Sequence, residues 1–351
     1  MRIELTKNPK IKVEETKLGF GKVFTDHMFE MTWSFDKGWH DSKIVEFQNI
    51  TISPACSTIH YGQSIFEGMK AYISNDDIVL FRPNENFKRM NISAKRLALP
   101  EIDEEYVLNA LTELLKIERE WIPKSEGTSL YIRPFMFGID ESLGVHVNEK
   151  VKFYIILSPS GAYFSSGLMP NKIFIENKYV RAVRGGMGYA KTAGNYACSL
   201  IGQENAKKYG YSQTLWLDGI ERKYVEEVGA MNIFFKIGSK FLTPKLNGSI
   251  LSGITRDSVI KLIKDMGYEL EEREIDIAEI YEAYDNGSLE EVFGTGTAAV
   301  ISPVCELFDG KKKMVINNFE IGKFSQKLYD ILTGIQLRKI EDKFNWVYVV
   351  K

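Results

Sequence analysis

Apolar residues recur along this chain in two rhythms. Short runs that alternate, or are almost wholly apolar, lie between polar clusters at KIVEFQNITI (43–52), DDIVLF (76–81), TSLYIRPFMF (128–137) and VKFYIILSP (151–159). That pattern predicts strands. A spacing of three and four takes over in Asn84–Leu99 and Glu104–Trp121, which predicts helices. The second half mixes the same two kinds. NKIFIENKYVRAV (171–183), SQTLWLD (212–218) and MNIFFKI (231–237) read as strands, and Gly194–Lys208, Arg256–Met266, Ile277–Tyr284 and Phe324–Lys339 as helices. Both halves are therefore α+β, without a regular βαβ alternation or an internal repeat.

The segment GAYFSSGLMPN (161–171) carries glycines, serines and a proline between apolar strands, as an interdomain linker would. The expected organisation is an α/β domain over 1–160, a linker over 161–174 and a larger α/β domain over 175–351. A length of 351 residues fits two domains better than one.

Composition narrows the partners. The 45 basic and 47 acidic side chains are interspersed and leave a formal charge of -2, with no basic stripe to attract nucleic acid or an anionic membrane. No stretch approaches the roughly 18 apolar residues of a membrane span, and the first twenty residues contain no apolar signal core. Cys56, Cys198 and Cys305 are scattered, as are the four histidines, so neither a disulfide framework nor a metal site is expected. A reducing, cytoplasmic setting follows, with Cys198 read as a small buried side chain.

Four stretches carry candidate chemistry. In GGMGYAKTAGNYACSL (185–200), Lys191 follows three glycines and precedes a helix start. A lone lysine is by default a solvated charge. Glycines at this density permit positive φ or close backbone approach, as in a loop wrapped round a ligand, and a desolvated amine there is a nucleophile toward carbonyls. FGTGTAAVISP (293–303) offers backbone N–H groups and hydroxyls as an anion nest, or simply a tight turn between strands. LNGSILSGITRDSVIKL (246–262) feeds Ile254 and Thr255 into a helix start that favours an anion, with Thr255 equally readable as a plain N-cap. Of Glu226 and Glu227 in KYVEEVGAMN, one reads as a solvent-facing edge charge and the other as aimed inward at a cationic nitrogen. Neither GKVFTD nor GGMGYAK meets the strand–GxGxxG–helix pattern, which excludes a dinucleotide fold. FGTGTAA lacks the lysine of a nucleoside-triphosphate loop.

Taken together, FGKVFTDHM, YGQSIFEGMKAY, LFRPNENFKRM, SLYIRPFMFG, VRAVRGGMGYAKTAGNY, EEVGAMN, ILSGITRDSV and EVFGTGTAAVISP resemble, in order, the motifs of the branched-chain-amino-acid aminotransferases. These belong to the fold-type IV group of pyridoxal-phosphate enzymes, and the resemblance runs from about Phe20 to KLYDILTGIQ (327–336). It implies a two-domain fold-type IV architecture with the cofactor, pyridoxal 5'-phosphate, at the domain interface. It implies that Lys191 binds the cofactor covalently and that Tyr196 meets its O3'. It places Glu227 against the pyridine nitrogen, with Arg89, Ile254, Thr255 and Thr297 around the phosphate. Phe20, Tyr61, Phe66, Tyr131, Arg133, Tyr163, Ala298 and Ala299 resemble the substrate pocket. Leu143 and Val145 resemble a loop that reaches into a partner subunit's site, implying a homodimer.

The activity implied is exchange of the amino group between L-leucine, L-isoleucine or L-valine and 2-oxoglutarate, giving the branched 2-oxo acid and L-glutamate by a ping-pong route. Each buried methylene contributes only about 0.8 kcal/mol, so an aromatic wall would separate the three side chains weakly. The γ-carboxylate of glutamate needs a cation, for which Arg133 is the candidate. Ala230 stands where relatives often have threonine. Ala299 and Ser302 occupy the places of the vertebrate mitochondrial CxxC pair, so thiol control is not expected. The alternatives are a D-amino-acid aminotransferase, an aminodeoxychorismate lyase, or a non-catalytic pyridoxal-phosphate-binding protein. Retention of Lys191 and Glu227 opposes the last.

Overall fold

The computed structural model describes residues 1–161 and 168–351, and the chain divides into two units. Unit 1 is Met1–Ser165, Ala190–Ala193 and Gly334–Lys351; unit 2 is Ser166–Tyr189 and Gly194–Thr333. Two pieces thus depart from the linear split expected at 161–174. The C-terminal tail lies in unit 1 because Val347–Val349 pairs antiparallel with Asp77–Phe81. The four residues around Lys191 lie there because Thr192 bridges Ile65. Residues 171–174 are strand rather than linker.

Unit 1 is built on a mainly antiparallel sheet. Its strands are β1 (Arg2–Ile3), β2 (His27–Ser34), β3 (Gly38–Glu46), β4 (Ser64–Phe66), β5 (Met69–Ser74), β6 (Asp77–Phe81), β7 (Ser129–Gly138) and β8 (Lys150–Ser160). The order is β1-β3-β2-β8-β7-β5-β6 and then Val347–Val349, with β4 on β7. Alternation in β7 decides what each face does. Leu130, Ile132 and Met136 join the core with Phe29, Phe153 and Ile155. The helix α1 (Ser57–Tyr61) lies between β3 and β4, and α2 (Pro83–Arg96) and α3 (Glu104–Ile117) lie between β6 and β7. From α2 and α3, Phe87, Met90, Ala94, Leu111 and Leu114 fill that core. The Asp103 carboxylate caps α3 through the Tyr106 N–H, a contact of about 1 kcal/mol. The other face of β7 is left to Tyr131, Arg133 and Phe135. The predicted run KIVEFQNITI is strand only to Glu46; its alternation ends at the polar pair Gln48–Asn49.

Unit 2 contains β9 (Asn171–Glu176), β10 (Gln213–Leu217), β11 (Val225–Val228), β12 (Met231–Ile237), β13 (Lys240–Pro244), β14 (Glu269–Arg273), β15 (Leu289–Gly296), β16 (Val300–Phe308) and β17 (Lys313–Val315). Their order is β11-β10-β9-β16-β15-β12-β13-β14, and β11 also pairs with β12. That extra pairing closes β9, β10, β11, β12, β15 and β16 on themselves as a barrel, so these strands have no open edge. Around them run α4 (Ala193–Lys208), α5 (Ile254–Asp265), α6 (Ile277–Asp285) and α7 (Lys323–Gln336). The predicted strand NKIFIENKYVRAV stops at Glu176. Cys198 is exposed, contrary to expectation, because α4 buries Asn195, Ser199, Gly202 and Ala206 and turns Cys198 away. Cys56 and Cys305 are buried. Among the described residues no helix is long and apolar enough to cross a membrane.

Candidate active site

In unit 1 the Lys191 backbone is fixed on both sides. Its N–H donates to the Ser93 hydroxyl at 2.9 Å, and its carbonyl accepts from the Phe66 N–H at 3.1 Å. Thr192 Oγ1 donates to the Ser64 carbonyl at 2.9 Å. The Lys191 ammonium lies 5.1 Å from the Phe66 ring centre, and a second cation on that ring is Arg133, at 4.7 Å. Arg133 Nη2 donates to the Tyr131 hydroxyl at 3.1 Å, while its Nε is buried without a hydrogen-bond partner. Phe20 packs edge-on against Tyr131 at 4.9 Å. Five of the predicted residues are therefore one cluster: Phe20, Phe66, Tyr131, Arg133 and Lys191. A buried donor beside two aromatic rings suits a carboxylate attached to an apolar ligand.

Arg89, expected at a phosphate, is buried and holds Glu67 with two bonds, Nε to Oε1 at 2.7 Å and Nη2 to Oε2 at 2.8 Å. Burial opposes ionisation of Glu67. The charge and hydrogen bonds of Arg89, with Lys191 and Asn86, outweigh it and hold the carboxyl below its ordinary value. Sequence reasoning missed Glu67, although FEG and FKRM lie close in the chain. It also missed Lys70, which stands opposite Tyr131 in the β5–β7 register; burial pushes its amine down to about 8.

Tyr61 is half exposed, and its hydroxyl donates to the Leu143 carbonyl, tying α1 to the 139–149 loop. Leu143 and Val145 are 67% and 81% exposed, an apolar display that no core contact accounts for. His146 holds the loop, with Nδ1 2.7 Å from the Gly144 carbonyl and Nε2 3.0 Å from Asp140 Oδ2. Tyr163 lies outside the described residues.

In unit 2 the glycine run behaves as its composition suggested. Gly185 has φ +83°, and a Cβ on Gly188 would fall 2.0 Å from the Ser249 carbonyl oxygen. Glu226 and Glu227 are both buried, which corrects the reading of one as a solvent-facing edge charge. A register shift between Trp216 and Leu217 marks a bulge in the β10–β11 pairing, and the bulge carries both side chains inward. Glu227 Oε1 accepts from the Leu251 N–H at 2.7 Å, and its Oε2 lies 3.2 Å from Arg181 Nε, an ion pair whose N–H is not aligned as a hydrogen bond.

Glu227 pairs with Asn232 in register, and Asn232 Nδ2 donates to the Leu251 carbonyl at 2.9 Å. A Cβ on Gly253 would strike Asn232 Oδ1, so the N-cap of α5 seats directly on that amide. Gly253 is the N-cap, which corrects the reading of Thr255 in that place. Ile254 and Thr255 are the first two helical residues, whose N–H groups are the ones a helix start offers to an anion. Thr297, Ala298 and Ala299 form the turn between β15 and β16, Gly296 pairing with Val300. Val300 is β-branched at φ 61°, strain of the kind that persists where a loop is shaped for a ligand. Tyr196 sits in the first turn of α4, partly buried.

The sequence family model described as "Amino-transferase class IV" matches residues 64–307, more than half of the chain. Branched-chain-amino-acid aminotransferase 2 of Bacillus subtilis (strain 168) is 54% identical over 347 residues, covering 99% of this chain and 96% of that protein. The chain belongs to the class IV, or fold-type IV, aminotransferases, and within them to the branched-chain-amino-acid aminotransferases. Solved members of the family share the fold. The Escherichia coli branched-chain amino acid aminotransferase superposes with a TM-score of 0.76 at 26% identity, over 93% of this chain and 99% of that one. The T.th. branched-chain amino acid aminotransferase, solved with pyridoxamine 5'-phosphate, superposes with a TM-score of 0.77 at 28% identity, over 92% and 98%.

Proposed function

We propose that this branched-chain-amino-acid aminotransferase exchanges the amino group of L-leucine, L-isoleucine or L-valine with 2-oxoglutarate, with Lys191 as the catalytic residue. The single observation that carries the reading is the Lys191–Phe66–Arg133 cluster, in which one amine and one guanidinium share an aromatic ring. An amine for chemistry stands beside a cation for a second carboxylate, with apolar surface between them. That combination suits an enzyme whose two substrates differ in having an aliphatic or an acidic side chain.

The chain's residues fit pyridoxal 5'-phosphate: a primary amine in Lys191, a buried carboxylate in Glu227, and phosphate donors in Arg89 and the first turn of α5. When bound, that cofactor supplies an electrophilic carbonyl and an electron sink. Lys191 Nζ is the amine that would hold the cofactor's carbonyl carbon, and as a free base it would move the proton of the substrate Cα. Glu227 holds a proton on the ring nitrogen. Arg89, Ile254, Thr255 and Thr297 bind the phosphate, and Tyr196 the ring hydroxyl. Phe20, Phe66, Tyr61 and Tyr131 shape the side-chain pocket and exclude water, and the Ala298–Ala299 backbone belongs to the same substrate pocket. Arg133 holds the γ-carboxylate of glutamate.

The exposed Leu143 and Val145 support a homodimer in which this loop completes the partner's pocket. Tyr61 sets the loop's position through the Leu143 carbonyl. Steady-state amino transfer to 2-oxoglutarate from the three branched L-amino acids, compared with D-alanine, tests the assignment. Preference for D-alanine would replace it with a D-amino-acid aminotransferase.

A further inference from the structure

Glu226 is 2% exposed and belongs to none of the roles above. It is the extra residue of the β11 bulge: Val225 pairs with Leu217 and Glu227 with Trp216, leaving Glu226 between them. Its Oε1 is hydrogen-bonded to Ser249 Oγ, and its Oε2 is buried without a partner. The same hydroxyl lies 2.7 Å from Asn247 Oδ1, which also accepts the Ser249 N–H at 3.0 Å.

Proton counting at Ser249 decides the state of Glu226. A serine hydroxyl has one proton, and here it lies between two acceptor oxygens. With Glu226 ionised, only one of the two contacts is a hydrogen bond. With Glu226 protonated, its O–H donates to Ser249 Oγ and the Ser249 O–H donates to Asn247, so both are made. Charge counting agrees. The charged groups facing Glu226 are Arg181 and Glu227, and one guanidinium does not balance two buried carboxylates. Glu227 has the guanidinium and the Leu251 N–H; Glu226 has only neutral groups beside it, the Ser249 hydroxyl and the Asn247 amide, and its Oε2 accepts no aligned hydrogen bond.

We propose that Glu226 is a positioning residue, a neutral carboxylic acid that leaves the charge of Arg181 to Glu227 and fastens Ser249, with the 247–251 loop, to β11. The inference rests on the reading of Glu227 as partner of the cofactor's ring nitrogen. Arg181 reinforces the arrangement, since its Nη2 donates to the Ser249 carbonyl. Burial pushes the Glu226 carboxyl up, against the Ser249 bond, Arg181 and the Asn247 amide, and the charge of Glu227 pushes it further; the balance lies above the ordinary carboxylate value.

Infrared difference spectroscopy of the cofactor-free protein, wild type minus Glu226→Gln, tests this at neutral pH. The expected result is the carbonyl stretch of a protonated carboxylic acid; carboxylate bands in its place overturn the proposal. Glu226→Ala is expected to weaken cofactor binding on the order of tenfold, and Glu226→Gln to restore it, because a neutral amide still donates to Ser249. A glutamine variant as impaired as the alanine variant also overturns it. If Glu226→Gln does not fold, an infrared pH titration of wild type decides, the acid band persisting at neutral pH or not. Failure of the Glu227 reading is distinguishable, because Glu227→Gln would then leave cofactor loading and its spectrum unchanged while the Glu226 band stays.

Discussion

Arg89 grips Glu67 through two parallel hydrogen bonds of 2.7 and 2.8 Å, both partners being buried. The pair joins α2 to the turn between β4 and β5. Glu67 also accepts from Asn86 Nδ2 at 2.8 Å, so its two oxygens are engaged from the helix side. A guanidinium held at this fork is pre-aimed, which is what recognition of a phosphate by one arginine requires.

Removing one partner leaves the other buried and charged. Glu67→Ala is expected to lower stability by about 3–5 kcal/mol and to weaken cofactor binding with it. Denaturant unfolding of the cofactor-free protein measures the first effect and equilibrium dialysis the second; an unchanged midpoint would contradict the account.

Arg133 carries a buried Nε with no partner and one bond to the Tyr131 hydroxyl. Arg133→Met keeps the volume and removes the cation. The KM for glutamate and 2-oxoglutarate is expected to rise about 10- to 100-fold, with the leucine KM within about threefold. An equal rise for both substrates would show that Arg133 is a packing residue.

Gly188 lies against the Ser249 backbone, where an added methyl would sit 2.0 Å from a carbonyl oxygen. Gly188→Ala is expected to cost about 1–3 kcal/mol, read as a lower melting temperature. Gly185→Ala acts differently: the space is open, but φ +83° disfavours a side chain.

His146 has an acceptor at each ring nitrogen, so only the imidazolium makes both bonds. The Gly144 carbonyl first, then Asp140, hold its pKa above the ordinary histidine value, with Glu149 adding to the effect. A raised folded-state value means the stabilisation is complete below the unfolded histidine value, about 6.5, and is lost as pH rises through the folded one. Amide exchange across 141–148 is expected to quicken over that interval in wild type and to show no such step in His146→Gln.

Much of this was legible in the sequence because its signals are local. The alternation of TSLYIRPFMF set Tyr131 and Arg133 on one face, and the glycines before Lys191 marked a close approach that Gly188 makes. Other features depend on registers that no local pattern carries. The bulge that buries Glu226 beside Glu227 lies on β11 and is set by its pairing with β10, and the partners Arg181 and Ser249 arrive from segments tens of residues away. The exposure of Cys198 is not legible in the sequence, because α4 has almost no amphipathic pattern to say which side is inward. The run KIVEFQNITI reads as one strand, yet its alternation breaks at Gln48–Asn49 and the strand ends at Glu46.

The central claim is that Lys191 is the amine that binds the cofactor. Chemistry alone would nominate a rival: Lys70, whose amine is lowered to about 8 by burial. Borohydride reduction of the cofactor-loaded protein, followed by peptide mass mapping, separates the two. The expected result is a pyridoxyl group on the peptide carrying Lys191 and none on that carrying Lys70, with labelling abolished in Lys191→Ala. A label on Lys70, or labelling and turnover that survive Lys191→Ala, would contradict it.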